Sequence, residues 1–122
     1  MELAYKDLRY RIVGLAMRVH RELGYGFLEK VYENALMVLM RKEEIPAAQQ
    51  KPVTVYFQGE SVGDYYADIL VDNVIILELK VAEKIADVHR AQILNYLKAT
   101  GLKLGLLINF GKDKLEYERF VL

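Results

Sequence analysis

Asp68, Glu78 and Lys80 lie in the stretch Asp64 to Lys80, which otherwise reads as two strands joined at Asp72-Asn73. The second run, Val74 to Leu79, is too apolar and β-branched for a half-exposed strand and belongs in the middle of a sheet covered on both faces. An acid or a lysine at the end of such a strand is costly unless it is paired or bound to a metal. Two carboxylates set against one ammonium repel each other unless they are protonated or a divalent cation neutralises them. Charged groups placed this way mark a candidate site.

Register decides whether the three side chains meet. Side chains alternate along a strand, so Glu78 and Lys80 share one face while Leu77 and Leu79 share the other. A two-residue turn at Asp72-Asn73 would pair Val71 with Val74 and put Asp68 and Glu78 on opposite faces. A three-residue loop, with Asn73 in the left-handed conformation and a bulge after it, brings Asp68 onto the face of Glu78 and Lys80. The sequence predicts that longer loop.

Composition limits the metal. There are no cysteines and two histidines among 122 residues, so disulfides and thiolate sites are excluded and any ion is held by oxygen, which favours magnesium or manganese. The 17 basic and 17 acidic residues cancel, so no global positive field announces a nucleic-acid partner, and binding one requires local clustering. No apolar run reaches membrane-spanning length, and Met1 to Asp7 lacks the basic start and apolar core of a signal peptide. A cytoplasmic protein with one domain over residues 1–122 is expected.

The elements that must position the candidate residues follow from periodicity. Leu8, Ile12, Leu15, Ala16, Val19 and Leu23 recur at helical spacing, closed by Gly24-Tyr25-Gly26. A second helix starts near Phe27 with the stripe Leu28, Val31, Tyr32, Ala35, Leu36 and Leu39, and stops before Pro46. Pro46 and Pro52 bracket a short connection. Val53 to Phe57 and Val62 to Val71 read as strands leading into the hairpin. A third helix runs from about Ile85 to Thr100, with Val88, Ala91, Leu94 and Leu97 on its buried side and Gly101 at its end. Leu104 to Phe110 is almost wholly apolar, and the crossover rule lays it parallel to Val74 to Leu79. Leu115 to Val121 is the last strand. The class is α/β, a mixed β-sheet flanked by helices.

Further polar residues have two readings each. Glu29, in the first turn of the second helix, is either an acid favoured there by the helix dipole or a third carboxylate of the site. Gln92 and Tyr96, four apart on the third helix, are either a core-edge pair or part of the site, and their polar tips need partners. His89 and Arg90 read most simply as solvated surface residues.

In order along the chain, these residues carry a resemblance. Asp68, nine intervening residues and Glu78-Leu79-Lys80 resemble the Asp…(Asp/Glu)-x-Lys signature of the restriction-endonuclease-like, or PD-(D/E)XK, nuclease superfamily. Gln92-Ile-Leu-Asn-Tyr96 is similar to the Gln-xxx-Tyr motif of its exonuclease-type branch, and Gly26-Phe-Leu-Glu29-Lys-Val-Tyr32 to the motif that names the GxxExxY family of small proteins within it. Ala67 stands where the signature has proline. The resemblance spans nearly the whole chain and implies an α-β-β-β-α-β core. It further implies Mg2+ (or Mn2+) held by Asp68, Glu78 and the Leu79 carbonyl, with Glu29 direct or through water. Lys80 would orient the attacking water, and Gln92 and Tyr96 would orient the cluster or touch the phosphate backbone.

Two functions follow as expectations. One is a magnesium-dependent nuclease cutting phosphodiester bonds, with DNA the expected substrate. The other is a nuclease-fold binding or regulatory protein whose site is silent, a reading that the neutral net charge supports. A homodimer is expected in either case, because pairing subunits doubles a small set of cations, and Tyr5, Tyr10 and Met17 add apolar surface to the first helix.

Overall fold

The apolar run after the hairpin turn becomes β3 (Ile75–Lys80), the central strand of a five-stranded mixed sheet of order β1-β2-β3-β4-β5. The computed structural model describes residues 5–122; the first four residues, which open the amino-terminal segment considered above, lie outside the described residues. The other elements are α1 (Lys6–Leu23), α2 (Glu29–Lys42), β1 (Ala47–Phe57), β2 (Glu60–Val71), α3 (Asp87–Thr100), β4 (Leu104–Asn109) and β5 (Glu116–Val121). β3 and β4 are parallel, as the crossover through α3 requires, and the other three pairings are antiparallel.

Alternation along β3 and β4 divides the core. Ile75, Leu77, Leu79, Leu104, Leu106 and Ile108 pack against α1 and α2 through Ile12, Ala16, Tyr32 and Leu36. On the opposite face, Ile76 meets Tyr96 and Leu97 of α3, and Leu107 meets Ile93. Both faces of β3 are therefore covered, and Glu78 follows Ile76 on the α3 side.

The loop between β2 and β3 has three residues. Asp72 and Asn73 both take left-handed φ (50° and 58°), the Val74 N–H donates to the Val71 carbonyl (3.0 Å), and Val71 pairs with Ile75. The expected bulge lies elsewhere: β2 carries an extra residue, Val62, between the pairs Val55–Gly63 and Tyr56–Ser61.

Two elements differ from the sequence expectation. The segment from Ala47 to Pro52 is strand and not connection, because β1 is an edge strand and there a proline without an N–H is tolerated. α3 is rotated about its axis: Ile93, Tyr96 and Leu97 are buried, whereas Val88 is 71% exposed and Leu94 also reaches solvent. Gly105 of β4 sets that rotation, since a Cβ there would lie 2.8 Å from Ile93 Cδ1; the glycine opens the notch in which Ile93 sits.

The chain leaving β3 is clamped to the end of β4. The Phe110 N–H donates to the Lys80 carbonyl (2.9 Å). The fully buried Asn109 accepts at Oδ1 from Ala82 and Gly111 N–H (both 3.0 Å) and donates through Nδ2 to the Ala82 carbonyl (2.9 Å) and Glu116 Oε1 (3.0 Å). Truncating it leaves part-buried polar groups of Ala82, Gly111 and Glu116 without this partner. Asn109→Ala is expected to cost about 2–4 kcal/mol in urea unfolding; a loss under about 0.5 kcal/mol would show that the clamp does not hold the end of β3.

Candidate active site

Past the Ile69–Leu77 pair, side chains enter the ladder between β2 and β3. The Asp68 N–H donates to Glu78 Oε1 (3.2 Å), and the Leu79 N–H donates to Asp68 Oδ2 (2.8 Å). Each carboxylate accepts from a main-chain N–H of the facing strand, which locks the two acids side by side. On the other flank of Asp68, β1 is also disturbed. Pairing passes from Gln49–Ile69 to Lys51–Ala67 and leaves Gln50 opposite Asp68 with φ at 51°. A non-glycine residue held in that conformation inside a strand costs on the order of 1–3 kcal/mol. Gln50 faces the Asp68 carboxylate and donates through Nε2 to Glu33 Oε1 (3.0 Å).

The acids share an electrostatic environment. Glu78 is 1% exposed, and burial first, then the charge of Asp68, push its pKa up to about 8 against the Asp68 N–H and Lys80. Burial also raises Asp68, opposed by the Leu79 N–H and reinforced by Glu33. Glu29 reaches solvent, yet the protein packed on its inner side raises its pKa against Lys80, with Asp68 and Glu33 adding to the rise. Glu29, Asp68, Glu78 and Lys80 thus lie within electrostatic range of one another, at the end of β3. Among the described residues, no three histidine, cysteine or acidic side chains are arranged to enclose a metal ion. The donor set still fits a hard cation: two interlocked carboxylates beside a strand carbonyl are all oxygen, and burial, reinforced by neighbouring acids, raises both above the usual carboxylate range.

Local sequence accounts for where Glu29 and Tyr32 sit. Gly26 takes φ of 116°, which favours glycine, in the turn leading to α2. Tyr32 is fully buried; its hydroxyl donates to the Gly24 carbonyl (2.7 Å) and accepts from the Phe27 N–H (3.2 Å), while its ring stacks on Phe110 at 4.7 Å. The tyrosine ties down the turn, and the glutamate three residues earlier is delivered to the strand ends. Phe27 and Leu28 stay outside the helix, which begins at Glu29.

On α3, Gln92 Nε2 donates to Tyr96 Oη (3.0 Å), so the phenolic hydrogen is not spent on Gln92. Burial raises the Tyr96 pKa, Gln92 opposes the rise, and the charges of Glu78 and Asp68 add to it; the phenol faces the acids and stays protonated. His89 and Arg90 are not simple surface residues. His89 Nδ1 accepts from the Ala86 N–H (3.0 Å) at the start of α3, and Arg90 forks onto Glu118 (2.8 and 2.7 Å) and reaches Asp87 (2.7 Å). A helix amino terminus has spare N–H groups, and a guanidinium matches a carboxylate with two bonds, so both side chains have work within the fold.

Glu33, Gln49 and Gln50 escaped the sequence reading. Glu33 is buried and accepts from Lys30 (2.9 Å), Gln49 (2.6 Å) and Gln50 (3.0 Å). One signal was present: Glu33 is four residues after Glu29 and beside the buried Tyr32, an acid on the inward side of an apolar stripe.

The raised carboxylates set the sign of the pH response. Glu78 has a folded pKa near 8 against 4.5 unperturbed, so its contribution to stability is full below about pH 4.5 and is lost as pH rises through 8. Without divalent ions, unfolding free energy is expected to fall by a few kcal/mol over that window, and Glu78→Gln to remove most of the slope. Stability that rises across the window, or an unchanged slope in Glu78→Gln, would contradict the assignment.

Comparison with known proteins bears on the site as a whole. No curated protein matches the chain. Among solved structures, it is similar to the one titled "Crystal structure of SSO0001", with a TM-score of 0.58 at 16% identity over 75% of this chain and 48% of that one; the chain spans about half the length of that neighbour, and the likeness is one of fold. The mixed five-stranded sheet with flanking helices is consistent with a restriction-endonuclease-like fold. A family model described as the PD-(D/E)XK nuclease superfamily matches residues 6–120, and the chain belongs to that superfamily.

Proposed function

We propose that the protein is a divalent-metal-dependent nuclease of the GxxExxY family that hydrolyses phosphodiester bonds, in DNA. PD-(D/E)XK nucleases generally use divalent metals and act on nucleic acid. The observation that carries the reading is the interlock of Asp68 and Glu78 two residues before Lys80, in a cluster whose acids are all raised. Asp68, Glu78 and the Leu79 carbonyl would hold Mg2+ or Mn2+, with Glu29 acting through water. When bound, the ion supplies an acidified water and charge neutralisation at phosphate. Lys80 places its ammonium beside the attacking water and the phosphate oxygen that gains charge. Tyr96, braced by Gln92, offers its hydroxyl to the cluster or to a phosphate.

A second reading, a nuclease-fold binding protein with a silent site, is favoured by the neutral net charge and by the engagement of Arg90 with Glu118 and Asp87. Lys80→Ala separates the two. It is expected to abolish cleavage of labelled DNA, by at least 100-fold on the scale of about 10²–10³ for losing one stabilising group, while leaving metal affinity within a few-fold. Wild-type protein that cuts neither single- nor double-stranded DNA or RNA with either metal would establish the silent-site reading.

The reading extends to one catalytic domain over the whole chain, working in the cytoplasm. Among the described residues, no helix is long and apolar enough to cross a membrane. It also includes a homodimer through α1, where Tyr10 and Met17 are exposed; Tyr5 instead packs against the core. Light scattering is expected to give twice 14.1 kDa at micromolar concentration; a 14.1 kDa particle with and without DNA would rule the dimer out.

A further inference from the structure

β3 pairs with β2 only from Ile69 to Val71, so the remainder of β1 and β2 projects past the central strands as a two-stranded ribbon. Tyr56, Phe57, Val62, Tyr65 and Tyr66 on this ribbon are exposed. One of them adjoins the candidate site: the Tyr65 ring lies 5.6 Å from that of Tyr96, inclined at 54°, and remains 38% exposed while Tyr96 is 4% exposed. Gly63 makes room for it, because a Cβ there would meet Tyr65 Oη at 3.3 Å. The ring is thus laid along the ribbon, between solvent and a phenol that feels the charges of Asp68 and Glu78.

We propose that Tyr65, backed by Tyr96, is a stacking floor for an unpaired base next to the phosphate that enters the site, so that the substrate is single-stranded DNA. The proposal rests on the nuclease reading and deepens it by naming the form of the substrate. Charge decides between strand forms. From Lys51 to Tyr66 the ribbon carries one base, Lys51, against two acids, Glu60 and Asp64, on a chain of zero net charge. Duplex affinity comes mainly from cations neutralising phosphates, and this surface lacks them. Stacking on an aromatic ring needs no net charge and accepts any base, but it requires the base to be out of a duplex. Within a duplex the faces of interior bases are covered by their neighbours, and an unpaired strand frees them for Tyr65.

The test measures binding without cleavage, in calcium, using an oligonucleotide carrying one 2-aminopurine, alone and annealed into a blunt duplex. The wild type is expected to quench 2-aminopurine and to bind the single strand at least tenfold more tightly than the duplex. Tyr65→Phe should keep both properties; Tyr65→Leu should lose the quenching and weaken single-strand binding about tenfold, with duplex binding unchanged. Equal binding of the two forms by the wild type, or single-strand binding by Tyr65→Leu within twofold of wild type, would overturn the proposal. So would a ribbon that pairs with a second copy of the chain, seen as self-association lost in Tyr65→Leu without any quenching by the wild type. If Tyr65→Leu does not fold, quenching by the wild type and Tyr65→Phe decides alone. Cleavage is scored separately: quenching without cleavage leaves the stacking floor standing and removes the nuclease, whereas cleavage without quenching does the reverse.

Discussion

Two carboxylates, each accepting from a main-chain N–H of the facing strand where β2 and β3 separate, are the constraint on which the rest of the structure turns. Accepting from the Asp68 and Leu79 N–H groups satisfies one oxygen of each acid, but it does not remove the cost of ionising two adjacent acids away from water. That cost shows as raised pKa values in Asp68, Glu78 and the nearby Glu29. A fold optimised for stability alone would place apolar residues there. Keeping acids at the end of a strand buried on both faces makes sense under the proposed function, in which a divalent cation would offset their charge.

Features far apart in sequence converge on this point. Tyr32 fastens the turn that aims Glu29, Asn109 fixes the chain leaving Lys80, and Gly105 sets the rotation of α3 that buries Tyr96 on the Glu78 side of the sheet. The strained Gln50, held by Glu33 of α2, faces Asp68 from the β1 side. The hairpin loop belongs in this set: with Asp72 and Asn73 both left-handed and Val74 as its third residue, Asp68 comes opposite Glu78 and not to the reverse face.

Much of this was legible beforehand because it rests on periodicity and local chemistry. The central hairpin and the parallel crossover followed from apolar runs separated by a helix-length segment, and the three-residue loop followed from requiring Asp68 and Glu78 on one face. What was not legible depended on contacts between distant residues. α3 offers competing apolar stripes that share Leu97, and only the notch at Gly105 chooses Ile93 over Leu94. Gln50 carries no sign of its left-handed backbone, and Pro52 reads as a strand breaker until β1 is known to lie at the edge. Asn109 ends an apolar strand and gives no hint of its four hydrogen bonds, two of which reach Ala82, 27 residues away. Arg90, which reads as a solvated surface residue, is bound to Glu118 across 28 residues.

The central claim is that the interlocked acids are a metal site, and calorimetric titration tests it directly. Magnesium or manganese added to the wild type near neutral pH is expected to give saturable binding with proton release, because ion binding and protonation compete for Glu78. Glu78→Ala should show neither. Absence of saturable heat in the wild type with both ions, or an unchanged isotherm in Glu78→Ala, would contradict the account.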